Sequence, residues 1–207
     1  MPFLKKKIVH WDHDPAKSSD LIWRITNKTD PKVKDIDEIQ LEDYERAVFK
    51  RESVLWNVLS CGRHTVTKDV SDIFWIDVFP KTLEFGIPIH NGPITKDNYQ
   101  IGLCGSVKFK IMASNALKVF LSELVASSSS FNVDQLADWL RKDFLSNVLC
   151  ELIRKVPLKE FRTGYPQYGE ELKSALNSST SRFGVEILSI EISGMTEPKK
   201  IELERKH

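Results

Sequence analysis

The sequence predicts an α+β protein: a largely antiparallel sheet of about six to seven strands with two to three helices packed against it. Three observations carry this expectation. The stretch ITKDNYQIGLCGSVKFKI, from Ile94, runs a polar turn into a long period-two alternation. From Leu117 the apolar residues take up the spacing of a helix face, and in VEILSIEI, from Val185, they return to period two. Strands, then helices, then one strand is the order of helices packed on one side of an antiparallel sheet.

Along the chain, KIVHW (Lys7 to Trp11) and LIWRI (Leu21 to Ile25) are short β-prone runs separated by the loop-like DHDPAKSSD. After the loop TNKTDPKVKD come IDEIQLEDYERAVFKRES, with Tyr44, Ala47, Val48 and Phe49 among charges, and VLWNVLSCGRHTV with a turn at Gly62. Both read as moderately exposed strands. The run DIFWIDVFPKTLEFGIPI, from Asp72, is aromatic and β-branched, and the turn residues of HNGPITKDN make it the antiparallel neighbour of the strand from Asn98 to Ile111. In that strand Tyr99, Ile101, Leu103, Val107, Phe109 and Ile111 share the inner side, and a slip of one residue would bury the lysines instead. Pro80 and Pro88 cannot donate to a ladder and belong at a bulge, an edge or a strand end.

The first helix places Leu117, Phe120, Leu121, Leu124 and Val125 on one face, with Ser114 as N-cap. ASSSSF, from Ala126, is a connector. The second helix opens with Asn132 and Gln135 in capping-box spacing. Its stripe runs through Val133, Leu136, Leu140, Phe144, Val148, Leu152 and Val156 over about six turns, stopped by Pro157 and laid over the inner face of the strand from Asn98. A third helix starts at Pro166, carries Leu172, Ala175 and Leu176, and ends near Phe183 with Gly184 as terminator. The closing TEPKKIELERKH is charged and reads as the start of a helix.

With 207 residues, 41% of them hydrophobic and 29% charged, the chain is long enough to bury a core, and its net charge of +1 argues neither for nucleic acid nor for an acidic partner; the basic clusters LKKK, FKRES and IRKV are each accompanied by acids and read as solvated faces, so no nucleic acid is expected. Cys61, Cys104 and Cys150 are far apart and lack C-x-x-C spacing, which reads as reduced thiols in a reducing compartment. MPFLKKKIVHW lacks the apolar core of a secretory signal, and no apolar run reaches membrane-spanning length. The expected location is cytoplasmic. FLKKK, from Phe3, adds a weak contact to an anionic bilayer, about 1 kcal/mol per Lys near the surface, so a peripheral position at the inner face of the membrane is a second expectation.

Chemistry is sparse. No phosphate-cradling glycine motif and no G-x-S-x-G elbow occurs. Cys61 and His64 sit three apart across a glycine turn, which is not by itself a nucleophile and base. HWDHD offers His10, Asp12, His13 and Asp14 as metal ligands, but on a strand His10 and Asp12 share a face while His13 points away, so a solvated strand end is the expected reading. His90, beside NGP, is a loop residue. No catalytic, cofactor-binding or metal residue is therefore expected.

Three pieces carry a family resemblance. ERAVFKRESVLWNVLSCGRHTV, ITKDNYQIGLCGSVKFKI with its T-x-D turn, and FGVEILSIEI are similar to successive parts of the SPFH or band 7 domain shared by stomatins, prohibitins and flotillins. The opening IVHWDHD and LIWRI further resemble a soluble prokaryotic, virion-core-like branch. Typical members carry an apolar membrane segment before the domain and a coiled coil after it. Here FLKKK stands in front and IELERKH behind, which implies either a soluble member or a piece of a longer chain. The implied division is an N-terminal extension over 1–35, the domain over 36–198 and a charged tail over 199–207. The implied function is a non-enzymatic scaffold that self-associates and organises partner proteins or membrane patches, through strands such as Leu41 to Lys50 and the tail after Thr196. A soluble module binding a small or lipid-like ligand between sheet and helix is the alternative, and a hydrolase or metal enzyme using His10, His13 or Cys61 with His64 is the third reading.

Overall fold

The computed structural model of the chain describes residues 7–125, 128 and 130–201. The stretch FLKK, residues 126, 127 and 129 of ASSSSF and the tail from 202, together with the Phe144 side chain of the second helical stripe, lie outside the described residues. The strands are β1 (Ile8–Val9), β2 (Asp20–Thr26), β3 (Glu38–Leu41), β4 (Glu45–Arg51), β5 (Val54–Leu59), β6 (Gly62–Thr65), β7 (Asp72–Asp77), β8 (Lys81–Ile87), β9 (Tyr99–Gln100), β10 (Leu103–Ile111), β11 (Ser130–Asn132), β12 (Val185–Met195) and β13 (Lys199–Lys200). The α-helices are α1 (Ala116–Phe120), α2 (Val133–Leu140), α3 (Ser146–Ile153), α4 (Leu158–Gly164) and α5 (Gly169–Thr180). The class is α+β with mostly antiparallel sheets, as expected.

The strands do not form one sheet. Among the described residues there are two three-stranded sheets, one five-stranded sheet and one pair. Pro80 is one physical reason: without an N–H it interrupts the ladder, so the run read as one strand from Asp72 becomes β7 and β8, which join different sheets. The chain divides there into two compact units. The first takes the residues up to Pro80, then Lys110–Val133 and Arg182–Val185; the second takes Lys81–Phe109, Asp134–Ser181 and the chain from Glu186.

In the first unit the five-stranded sheet has the order β11, β2, β7, β4, β5, all antiparallel. β7 has no polar side, and every one of its six residues is buried. It therefore needs a strand on each edge, and β2 and β4 supply them: Trp23 and Ala47 stand opposite Trp75, and Ile25 and Phe49 opposite Ile73. These residues join Val9, Ile39 and Leu41 from the β1, β3, β6 sheet in one hydrophobic core. The expectation of moderately exposed strands over Leu41 to Lys50 is thus corrected, since Leu41, Ala47, Val48 and Phe49 are all buried. Charges flank these positions in sequence, yet alternation turns the apolar set inward. The exposed strand is the next one, β5. In α1 and the π-helical turn after it, Leu117, Phe120, Leu121 and Val125 are buried as the spacing predicts, and the Ser114 hydroxyl accepts from the Ala116 N–H at 3.3 Å.

In the second unit β10 alternates buried and part-exposed positions along its whole length, with Phe109 fully buried, and pairs antiparallel with β8 from Leu103 opposite Ile87 to Phe109 opposite Lys81. The strand expected from Asn98 is broken near Gly102, where a Cβ would lie 2.8 Å from the Ile87 carbonyl oxygen. The T-x-D turn has a mechanical role: the Asp97 carboxylate accepts from the Thr95 hydroxyl at 2.7 Å and from the Leu158 N–H at 2.9 Å, tying the turn to the start of α4. The second helix is a continuous run of α2, a π-helical stretch over Arg141–Leu145 and α3. α4 is an addition to the expected helices, because Pro157 reads as a stop where it serves as an entry. The third helix is α5, and Gly184 comes after it at φ +76°, the left-handed conformation expected of a terminator. Lys199 and Lys200, expected to start a helix, pair instead with Gln100 and Tyr99.

Phe109→Ala, which empties a fully buried aromatic site, is expected to cost about 3–5 kcal/mol in urea unfolding; a loss under about 1 kcal/mol would show that the inner face of β10 is misassigned.

Candidate functional site

The residue types that carry charge into the core of the first unit come from strand alternation. Glu45 shares a side with Ala47 and Phe49, and Asp77 shares a side with Ile73 and Trp75, so both carboxylates face the core. The β4–β7 register sets Glu45 directly opposite Asp77. Like charges opposite each other across a strand pair repel, and burial strengthens the repulsion. The His13 ring lies between the two carboxylates. Its Nδ1 lies 3.5 Å from Glu45 Oε1 and its Nε2 3.5 Å from Asp77 Oδ2, with the three side chains no more than 5% exposed. Whichever ring nitrogen carries the proton, it faces a carboxylate.

Backbone groups hold the two acids in place. The second Glu45 oxygen accepts from the Glu42 N–H at 2.8 Å, and the other Asp77 oxygen accepts from the Phe79 N–H at 2.7 Å. Burial pushes the Glu45 carboxyl above its ordinary range, against the opposing pull of the Glu42 N–H, the nearby Trp75 indole and His13. Trp75 Nε1 sits close enough to favour the carboxylate but without full hydrogen-bond geometry. Aromatic rings enclose the imidazole: Trp11 stacks on it at 3.9 Å, and Tyr44 meets it edge-on at 5.6 Å. Trp11 in turn meets Trp23 at 6.3 Å with the two planes tilted by 42°, and Trp23 stacks on Trp75 at 5.8 Å.

The fold disperses the candidate residues of the sequence. His10, Asp12 and Asp14 are exposed, and His13 turns away from them into the protein. Asp14 accepts from the Ala16 N–H at 3.0 Å and pairs with Lys17 at 3.1 Å, a local turn rather than a ligand set. His64 Nε2 lies 2.7 Å from the Ser60 carbonyl oxygen, so that nitrogen is engaged with backbone across the turn and not with the exposed Cys61 thiol. His90 is exposed on a short 3-10 turn. All three cysteines are free thiols, and burial pushes the Cys150 thiol up. Among the described residues no group of three His, Cys, Asp or Glu side chains could hold a metal ion. The His13 cluster is no exception, because its two carboxylates approach different ring nitrogens and share no common vertex.

Sequence reasoning misses Glu45 and Asp77. A signal exists: each is an acid standing in register with an otherwise apolar side of a strand. It becomes legible only once the strands are paired.

Two surfaces remain. β5 ends the five-stranded sheet, and its Val54 and Trp56 are 60% and 48% exposed, with the Arg51 guanidinium 4.4 Å from the Trp56 ring centre. In the second unit, Ile87, Pro88, Leu103 and Met195 line an open furrow of about 500 Å³ whose surface is almost wholly apolar.

The family model of the SPFH domain, or Band 7 family, matches residues 39–203, some four fifths of the chain, and the protein belongs to that family. The chain matches no curated protein. Domains of this family are in general scaffold-like and membrane-associated, without an enzymatic role. No helix among the described residues is long and apolar enough to cross a membrane.

The raised Glu45 carboxyl sets a pH dependence. A carboxyl whose folded value lies above its unfolded one stabilises the fold below the ordinary carboxylate range and loses that contribution as pH rises through the raised value. Glu45→Gln removes that loss. The melting temperature of the Gln variant relative to the natural chain should therefore climb from about pH 4 towards about pH 7; a difference that is flat over this range would refute the assignment.

Proposed function

We propose that this protein is a non-enzymatic SPFH scaffold that self-associates through the exposed edge strand β5 and organises partner proteins or membrane patches. One observation carries the reading: β5 hydrogen-bonds to β4 on one side only within its sheet and displays Val54 and Trp56 to solvent. An apolar edge of this kind is a template for strand addition, and a second copy offers the same edge in the antiparallel sense, which satisfies a two-fold contact. The family gives the class of role. Within this reading the scaffold domain spans 36–198, behind an N-terminal extension over 1–35 and ahead of a charged tail over 199–207. The protein works in the cytoplasm as a member of the soluble, virion-core-like branch, with peripheral contact at the inner face of the membrane.

A second reading, a module for a lipid-like ligand, is favoured by the apolar furrow at Ile87, Pro88, Leu103 and Met195. The two readings separate by light scattering over a concentration series, with and without anionic vesicles. The scaffold reading expects a mass that climbs above the 23.8 kDa of one chain, and loss of that climb in the doubly substituted Val54→Lys, Trp56→Lys protein. A constant monomer mass with saturable binding of a fatty acid would overturn it in favour of the furrow.

A further inference from the structure

The N-terminal arm is attached to the first unit in three ways. β1 contributes two residues, paired in parallel with Glu38 and Ile39 of β3, and the Lys7 carbonyl beside it accepts from the Asp37 N–H at 3.0 Å. Val9 and Trp11 pack on the core. His13 enters between Glu45 and Asp77. The arm precedes the region that matches the family model, so the family does not account for it.

The third attachment needs a proton that a neutral ring does not bring. The outer oxygen of each acid already accepts a backbone N–H, Glu45 Oε2 from Glu42 and Asp77 Oδ1 from Phe79, so an added proton belongs on the side facing the ring. His13 Nδ1 faces two acceptors, Glu45 Oε1 at 3.5 Å and the Trp11 carbonyl oxygen at 3.3 Å, and so carries the N–H of the neutral imidazole. Nε2 is then left with a lone pair opposite Asp77 Oδ2, 3.5 Å away, and among the described residues it has no hydrogen-bond partner. A lone pair facing a carboxylate away from solvent is repelled, and one proton on either atom turns that repulsion into attraction.

Imidazole in water is neutral above about pH 7, so an arm released into solvent has to take up that proton when it docks. The other titratable groups near the ring do not oppose the uptake. Tyr44 meets the ring edge-on, and Glu42 and Asp14, the latter paired with Lys17, add negative charge around it. Arg46 follows Glu45 in β4, so it points to the other face of the strand, where it donates to the Asp43 and Glu45 carbonyl oxygens. The upward push of burial on the Glu45 carboxyl has the same sign. We infer that the N-terminal arm is a proton-dependent strap, docked on β3 while the His13 cluster holds the additional proton and released as pH rises. The docked state binds one proton more than the released state, so docking is favoured at low pH and lost with increasing pH. Release leaves β3 without its parallel neighbour. The inference does not depend on the scaffold reading, since neither β5 nor self-association enters it.

Hydrogen exchange of the full chain, followed from about pH 6 to about pH 9, reads the docking, with the Asp37 amide as reporter of the arm and the amides of β10 as reference. Protection at Asp37 relative to the reference should fall by up to about tenfold per pH unit above about pH 7, the slope of one proton. Asp77→Asn offers an amide N–H to Nε2 in place of the missing proton, and its Asp37 protection should stay within about twofold over the same range. His13→Gln has no titrating ring and should be equally flat, which keeps the comparison open should the Asn protein not fold. A flat profile in the natural chain, or a fall of the same size in whichever variant folds, overturns the strap.

Discussion

Two carboxylates, Glu45 and Asp77, stand directly opposite each other on the buried side of neighbouring strands, with one imidazole between them. Without a partner this pair could not be tolerated in an apolar core, since each ion would lose its water and gain a like charge. His13 is that partner, and it comes from a segment of irregular backbone between β1 and β2. The N-terminal arm is accordingly joined to the sheet by a polar contact in addition to the parallel pairing of β1 with β3.

Much of the first unit depends on that constraint. With His13 fixed, Trp11 stacks on it and meets Trp23, which in turn rests on Trp75 at the centre of β7. β7 has aspartates at both ends, and the other one is held by a cation: Arg24 donates to Asp72 Oδ1 from Nε at 2.9 Å and from Nη2 at 2.7 Å. A strand buried on both faces thus meets a side chain of the neighbouring strand at one of its aspartates and a side chain of the arm at the other. The apolar positions of β4 are occupied in covering β7, and β5 is left as the strand with exposed apolar side chains.

The legible part of this structure is what depends on local periodicity. The inner side of β10, the buried face of α1, Gly184 as a helix terminator and the antiparallel pairing of β8 with β10 come from spacing and turn chemistry that neighbouring residues determine. Register and pairing partners are not legible. The charges of IDEIQLEDYERAVFKRES suggest an exposed strand because nothing in that segment shows that β7 will lie beside β4 and draw Ala47 and Phe49 inward. For the same reason His13 reads as part of a surface cluster with His10, Asp12 and Asp14. Its actual partners lie far along the chain, at Glu45 and Asp77, and converge only through a strand register. Pro80 and Pro157 show the limit of punctuation. Each marks a break, but whether a break ends an element, divides two sheets or opens a new helix depends on where the next segment packs.

Membership of the SPFH family agrees with this sparing use of chemistry, in which the one concentrated set of ionisable groups among the described residues serves to fix an arm to a sheet. The central claim is that His13 performs this task by bridging Glu45 and Asp77. Hydrogen exchange of the natural chain beside His13→Ala tests it directly. The account predicts faster exchange in residues 8–26 and at the Glu45 and Val78 amides, with a loss of about 3–5 kcal/mol in global stability. Protection in the arm equal to that of the natural chain would contradict it, and would mean that the backbone pairing of β1 and β2 suffices to hold the arm in place.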